Sequence, residues 1–587
     1  MLRIYWNLLY NLINKINNHL KKHSPTKIII GTFISIRIIE KFLQFYKTYN
    51  TKQLKINLTD TALQAIEKLP IIGPKLTASI NKEVKGLLLG IKNDIDKSRS
   101  EWEPIHQLPK IGFSEIEIKE RFKNVNAKYK PGSLSAAVYS QFHNNESKLL
   151  QSIWSKTAFT NPVFLEWPLI NLMEAELISI CQHLLNGEVG APGIMTRGGT
   201  ISILEACKAY VLLARKNDLN PEIIVPDSIH VAFDKAAKVL NAKLIKIPVN
   251  KLTGAANVKA IEKAISKHTC MIACSAPSFP FGIIDPITDL GKLAQKHNIP
   301  LHVDACLGGF LTAFAKDAGY DLPPCDFSVP GVSSISIDTH KYGQTPKGSS
   351  FLLFSKNCPA TPTHVYLDWV GGMYVTPSID GSRSGADIAT TWTVLCHKGA
   401  NKYIQETRKI LNLHRALLNE VNKIDGIFVP FNPEISIVPI QSIEGINSLV
   451  IADLLKEKGW SVNILQSPDQ TPLGFHFCVT SIHANQKDFL KLFIKDLSNA
   501  VQFAKQNPEA KPNGMPKAYG KLEKGVPFYV QDKIGNGYIK VITTLPGVEI
   551  PGIWSKPREE EQKTQGFFTS TDKDAELTQV RRDAFKF

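Results

Sequence analysis

From about residue 170 onward, short apolar runs alternate with stretches whose apolar positions recur at helical spacing. The pattern predicts a helix after Gly198-Gly-Thr200, a strand at Ile223-Ile-Val225, a helix from His230, a strand at Leu244-Ile-Lys-Ile247 and a helix carrying Val258, Ile261 and Ile265. A strand at Met271-Ile-Ala-Cys274, a helix after Asp285-Pro286, and strands ending at Asp304 and Asp338 continue the series. Strands that alternate with helices build a mostly parallel sheet, so the fold class is α/β, with the large domain over residues 166–365. After Phe354 the rhythm changes. A long helix carries Ile410, Leu413, Leu417 and Val421, and strand signals at Ile435 to Ile440 and Phe475 to Ile482 flank a helix over 446–458. This reads as a smaller α+β C-terminal domain over 366–510.

The flanks are less regular. Residues 1–60 form a basic amphipathic segment with ten Lys or Arg against Glu40 and Asp60. Its longest apolar run, Ile28 to Ile36, stops at Arg37, short of the ~20 residues of a spanning helix. Residues 1–50 fit an interfacial helix on a membrane surface and equally a partner-facing arm. Residues 61–165 form a helical and strap-like region. Within it Leu69-Pro-Ile-Ile-Gly-Pro-Lys75 resembles a helix-hairpin-helix turn, but no aromatic or arginine-rich reading surface accompanies it, so nucleic acid is not an expected partner. Pro131-Gly-Ser-Leu-Ser-Ala-Ala-Val-Tyr139 reads as an arm over a pocket or a dimer mate. Residues 511–587 are a Pro-, Gly- and Lys-rich extension with Glu559-Glu-Glu561 near its end, expected to be mobile there.

Composition adds bounds. With 587 residues, 43% of them hydrophobic, the chain can bury a large core. The formal charge of +16 favours acidic partners without selecting one. Nine cysteines without a C-x-x-C pair, several in apolar runs, point to reduced core thiols in a cytosol-like compartment, and not to structural zinc.

The candidate chemistry clusters at predicted strand ends. Leu301-His-Val-Asp-Ala-Cys-Leu-Gly-Gly-Phe310 places Asp304 at one, and Asp338-Thr-His-Lys-Tyr-Gly343 places His340 and Lys341 just past another. Taken alone, Asp304 is equally a helix cap. A lysine and a carboxylate so placed suit pyridoxal phosphate: the lysine joins the cofactor as a Schiff base, and the carboxylate keeps the ring nitrogen protonated. Gly198, Gly199 and Thr200 open a helix whose bare amides face an anion, usually phosphate. His230, after a strand, reads alone as a satisfied structural histidine, and together with Asp304 and Lys341 as a flat ring to stack on an aromatic cofactor. Arg383, in the glycine-rich run Gly381-Ser-Arg-Ser-Gly385, is either a bidentate phosphate clamp or a surface-loop arginine. Tyr139 alone reads as a packing residue.

Together, the runs 301–310 and 338–343, Pro346-Lys-Gly348, Gly381-Ser-Arg383 and Phe475-His-Phe-Cys478 closely resemble the sphingosine-1-phosphate lyases, over roughly residues 60–540. These are pyridoxal-phosphate enzymes of fold type I, related to the group II amino-acid decarboxylases. The resemblance implies a homodimer with active sites at the subunit interface, and a retro-aldol cleavage of sphingosine 1-phosphate to a long-chain aldehyde and phosphoethanolamine. It implies that Lys341 binds the cofactor, His230 stacks on its ring, Asp304 pairs with its nitrogen, and Gly198, Gly199, Thr200, His340, Gly381 and Ser382 complete the cofactor site. Tyr139, Lys347, Tyr374 and Arg383 become substrate-phosphate or proton-transfer residues, some from the second subunit. A decarboxylase, or an impaired scaffold of the same fold, is the alternative.

Several positions depart from the family. Arg197 replaces a serine before the Gly-Gly-Thr run, where it either pairs with phosphate or crowds the cradle, and Ile201 replaces a glutamate. Ala136 stands for a glycine, Phe164 and Phe281 for histidines, and Asp387 enters an apolar run. No clear membrane span precedes the enzyme, which fits a bacterial homologue, cytoplasmic or membrane-associated. The glutamate cluster resembles the export signals of bacterial effectors, which would place the protein in a host cell.

Overall fold

The computed structural model describes residues 72–99, 104–105, 109–123, 135–140, 144–217, 220–358, 360, 364–465, 474–512 and 528–545. The basic segment 1–60, residues 131–134 of the arm and Glu559 to Glu561 lie outside them. Two compact units divide the chain: residues 1–127 with 517–587, and residues 128–516.

In the first unit, helix Ile72–Ser98 packs on helix Phe528–Thr543, with Leu88 and Val541 buried between them. Arg99 Nη2 donates to the carbonyl of Ile542 at 2.8 Å, near the end of the second helix. Gly73, Pro74 and Lys75 fall in the first turn of a 27-residue helix, so they do not form the hairpin turn their sequence resembles. Proline is tolerated there because first-turn amides have no intrahelical partner.

The second unit is built on seven strands: β1 (Gly193–Thr196), β2 (Glu222–Pro226), β3 (Lys243–Ile247), β4 (Thr269–Ser275), β5 (Leu301–Asp304), β6 (Val332–Ile337) and β7 (Ser350–Phe354). Their spatial order is β1-β7-β6-β5-β4-β2-β3, and β7 alone runs against its neighbours. Both faces are covered, so successive residues feed different cores. Ile224, Ile272, Val303, Ile335 and Leu353 enter one, and Ile223, Val225, Met271, Ala273 and Leu352 enter the other. Edge strand β3 is half-exposed and carries Lys243 and Lys246, paired with Glu222 at 2.6 Å and Asp234 at 2.7 Å. Such charges discourage pairing with a foreign strand.

The helices expected after Gly198, from His230 and after Pro286 are found at Gly199–Lys216, Ala232–Val239 and Ile287–His297. Strands β1 and β7 were not anticipated. Each is a run of only four or five residues without alternation, and long-range pairing of β7 with β1 and β6 defines both.

Helix Gly385–Val421, broken midway by Gly399 at φ 66°, leads to a four-stranded antiparallel sheet. Its strands are Ile427–Phe428, Ile437–Ser442, Asn463–Ile464 and Phe475–Cys478. The strand signal over 475–482 ends early, because Ser481–Asn485 turns helical under Thr480. Phe477, Phe489 and Phe493 pack with Trp460 and His483 against this sheet, and they belong to the same continuous core as Ile335 and Ile337.

That core holds buried titratable groups with a consequence for acid stability. Burial pushes His302, His414 and His476 down to about 4, and pushes Asp285 up to about 6. Between pH 6.5 and 4 the unfolded chain binds three protons that the folded histidines refuse, so stability falls on acidification. Asp285 acts oppositely, since the folded carboxyl binds its proton first. These four groups net about two protons, and urea denaturation near pH 5 should show stability falling by roughly 2–3 kcal/mol for each unit of acidification. A midpoint unchanged or raised between pH 7 and 5 would contradict this.

Candidate active site

Parallel strands end on a common edge, so the residues that follow β4, β5 and β6 are brought together whatever their separation in sequence. They line a cavity of about 330 Å³ with Arg197, Gly198, Gly199, Thr200, His230, Phe279 and Tyr139. Lys341 and Asp304 both face it.

Lys341 Nζ lies 2.9 Å from Asp338 Oδ2. Burial pulls the ammonium down, but the charge of Asp338 outweighs it, and the lysine is held well above its ordinary range. Burial opposes ionisation of Asp338 too, and the charges of Lys341 and His340 overcome it, so its carboxyl is lowered. His340 donates from Nδ1 to the Ser349 carbonyl at 2.7 Å, and burial lowers its ring. Its Nε2 stands 3.6 Å from Asp338.

Asp304 accepts from the backbone N–H of Cys306 at 3.1 Å and the hydroxyl of Ser336 at 3.3 Å, both on Oδ1. His230 Nδ1 accepts from the N–H of Ala232 at 3.2 Å, which fixes its ring at the cavity edge. Phe279 meets that ring edge-on at 6.4 Å.

Gly198, at φ 92°, precedes helix Gly199–Lys216. A Cβ on Gly199 would lie 2.7 Å from Asp338 Oδ1 and Cys306 Sγ, so only glycine admits this approach. Ala136 adopts φ 58°, where alanine is strained by about 1 kcal/mol relative to the glycine expected there. The arm containing Ala136 holds nonetheless: Ser135 Oγ accepts from the N–H of Cys478 at 2.7 Å, and Ser481 donates to the Tyr139 carbonyl at 2.8 Å. Lys347 sits over the Tyr139 ring at 4.8 Å. Burial, then Lys341, lowers its ammonium. Burial raises the Tyr139 hydroxyl far above its ordinary range.

Five expected residues do not line this cavity: Lys347, Tyr374, Gly381, Ser382 and Arg383. Arg383 is neither a free phosphate clamp nor a surface-loop residue. It is buried, with Nη1 and Nη2 donating to the two carboxylate oxygens of Glu174 at 2.6 and 2.9 Å and Nη1 donating to the Met195 carbonyl at 3.3 Å. Tyr374 is exposed beside Gly381. Ser382 touches the cavity only through Arg197, whose Nη2 donates to its carbonyl at 3.2 Å. Asp387 feels the charge of Arg197, although burial dominates and raises its carboxyl. Phe281 packs on Phe431 at 5.0 Å and is not a cavity residue, while Phe164 is exposed.

Asp338 as counter-ion, Cys306 and Phe279 were not singled out by sequence. The first had a signal, since a carboxylate three residues before a lysine at a strand end is brought beside it by a single turn.

The donor set fits pyridoxal phosphate. Asp338 Oδ1 is buried without a hydrogen-bond partner, a helix N-terminus opens on the cavity at a spot no side chain can fill, and an amine and a second carboxylate face it. No group of three or more metal-ligating side chains that could hold a metal occurs among the described residues.

Comparison with known proteins agrees. The model of the pyridoxal-dependent decarboxylase conserved domain matches residues 153–441. The probable sphingosine-1-phosphate lyase of Legionella pneumophila is 37% identical over 91% of this chain and 93% of its own. Sphingosine-1-phosphate lyase 1 of Rattus norvegicus is 37% identical over 86% and 88%. The solved sphingosine-1-phosphate lyase of Burkholderia pseudomallei, 29% identical, superposes with a TM-score of 0.67 over 76% of this chain and 99% of that one. Glutamate decarboxylase of Lactobacillus brevis, at 19% identity and a TM-score of 0.60, shares the fold.

The Arg383 pair separates a structural from a phosphate-binding arginine. Glu174→Gln leaves a buried guanidinium half-paired and should cost about 3–5 kcal/mol in urea denaturation. Wild-type stability in that variant would free Arg383 for a ligand.

Proposed function

The chain belongs to the sphingosine-1-phosphate lyase family, and on that premise we propose that it cleaves sphingosine 1-phosphate and related phosphorylated long-chain bases into a long-chain aldehyde and phosphoethanolamine. The observation that carries this is the convergence of Lys341, Asp304, His230 and the Gly198 to Thr200 turn on one cavity. Pyridoxal phosphate bound there would supply an electron-accepting ring for the electron pair of the breaking carbon–carbon bond.

The chain's own residues do the rest. Lys341 Nζ is the amine that would hold the cofactor, beside Asp338. Asp304 would pair with the ring nitrogen through Oδ2, since its bonds within the protein fall on Oδ1. Gly198, Gly199 and Thr200 would take the cofactor phosphate at the helix N-terminus, where unpaired N–H groups and the helix dipole favour a dianion. His230, immobilised through Nδ1, would pack on the ring face. Tyr139 keeps its proton at neutral pH, so it donates one and does not remove it. Lys341, once it has lost its proton, is the base that lines the cavity, and Lys347, lowered by burial, lies off it over the Tyr139 ring.

A homodimer accounts for the residues this cavity lacks. Trp369, Val370 and Met373 are exposed apolar side chains on the segment before Tyr374, and a second copy covering them would bring Tyr374, Gly381 and Ser382 of one subunit to the other's site.

Purified protein should carry a yellow, borohydride-reducible absorbance band, elute at the mass of two chains and release aldehyde from sphingosine 1-phosphate. Lys341→Ala should abolish the band and lower the rate by on the order of 10³ or more. A band without aldehyde would move the assignment to a decarboxylase.

The address rests on sequence alone. The basic residues 1–50 support a contact with anionic membrane, and Glu559-Glu-Glu561 supports export into a host cell, otherwise the cytoplasm. Among the described residues no helix is long and apolar enough to cross a membrane. Deleting residues 551–587 should leave cleavage intact and stop export, and export that persists would sink the signal.

A further inference from the structure

Behind Asp304, on the side away from the cavity, lies a file of buried polar side chains that the reaction so far leaves without a task. Strands β5 and β6 run parallel, with His302 opposite Ser334 and Asp304 opposite Ser336. Alternate residues share a face, so all four side chains stand together on one face of the sheet. Ser334, Ser336 and His302 are fully buried. Tyr210, from helix Gly199–Lys216, closes the far end.

The distances form one unbroken chain. Tyr210 donates its hydroxyl to Ser334 Oγ at 2.8 Å. Ser334 Oγ lies 2.8 Å from His302 Nδ1, and His302 Nε2 lies 3.3 Å from Ser336 Oγ. Ser336 donates to Asp304 Oδ1 at 3.3 Å.

Each hydroxyl has a single proton, which settles the direction. Ser336 spends its proton on Asp304, so it must accept from His302, and Nε2 therefore carries the hydrogen. His302 is neutral, since burial holds its ring down to about 4, so Nδ1 is bare and accepts from Ser334. Ser334 can give its proton away because Tyr210 supplies the bond it accepts. Every donor thus points the same way, toward the carboxylate, and bonds so aligned polarise one another.

We propose that Ser336 and His302 are positioning residues for the lyase reaction, forming with Ser334 and Tyr210 a directed hydrogen-bond relay that fixes Asp304 Oδ1 and so holds its other carboxylate oxygen aimed at the cofactor ring nitrogen. The relay rests on the assignment of Asp304 to that nitrogen. It reaches from the helix that would bind the cofactor phosphate, along one face of the sheet, to the carboxylate that would bind the ring, so one helix would serve both ends of the cofactor.

The decisive variant is Ser336→Ala, which removes the last donor without adding volume. His302→Leu is more direct, but it strands two buried hydroxyls and can fail to fold. In Ser336→Ala the apo-protein should bind pyridoxal phosphate about tenfold more weakly by fluorescence titration, the size of one bond to a charged group. The visible band of the loaded protein should shift its pH dependence, and kcat should fall while KM for the lipid stays put. Ser448→Ala, which deletes a buried hydroxyl bonded to Ser442 at 2.7 Å away from this site, is the control for simple loss of packing. Wild-type cofactor affinity in Ser336→Ala, or an equal loss in Ser448→Ala, would overturn the relay. Cofactor titration needs no turnover, so a wild-type protein that binds cofactor without cleaving the lipid would refute the lyase reading and leave this test standing.

Discussion

A lysine enclosed in a protein stays charged only beside a counter-charge, and Asp338 meets that need for Lys341. The two are separated by one turn after β6, so the ion pair forms as soon as that strand has its place in the sheet. Their mutual attraction outweighs the burial of each, and His340 adds a third group held by the Ser349 carbonyl. Around this pair the rest is fitted: Gly199 is a glycine because Asp338 and Cys306 leave no room for a side chain.

The parallel sheet is what turns scattered residues into a site. β4, β5 and β6 are crossed by helices and lie side by side, so Ser275, Asp304 and Asp338 finish on the same edge though more than sixty residues separate the first and last. Hydrophobic burial on both faces fixes the register, and a slip of one residue would turn Asp304 and His302 out of line with Ser336 and Ser334. The same alternation that builds the two cores places the polar file on one face of β5 and β6, and burial there is tolerated because every member has a partner.

Departures from the family are absorbed unequally. Ala136 keeps a left-handed backbone and pays in strain, which the bonds from Ser135 and Ser481 offset. Arg197 turns toward the Ser382 carbonyl and stays at the cavity wall, near the carboxyl of Asp387. Phe281 lies off the cavity altogether, against Phe431. The substitutions therefore touch the rim more than the floor, where Lys341, Asp338 and Asp304 sit.

Sequence by itself determined the fold class and the floor of the site. Alternating apolar runs locate β2 to β6 and the helices between them, because strand and helix periods are local properties of the chain. The runs around Asp304 and Lys341 name the chemistry, because their residue types sit at strand ends where open sheets expose ligands. Tertiary structure decided what depends on distance. It paired Arg383 with Glu174, which lies 209 positions away in the chain and shares no motif with it. It joined β1 to β7, placed Tyr374 outside the cavity, and lined up Tyr210, Ser334, His302 and Ser336 behind Asp304. A sequence shows which groups are present and how they are spaced along one dimension. Which donor faces which acceptor is set only when strands far apart in the chain are packed side by side.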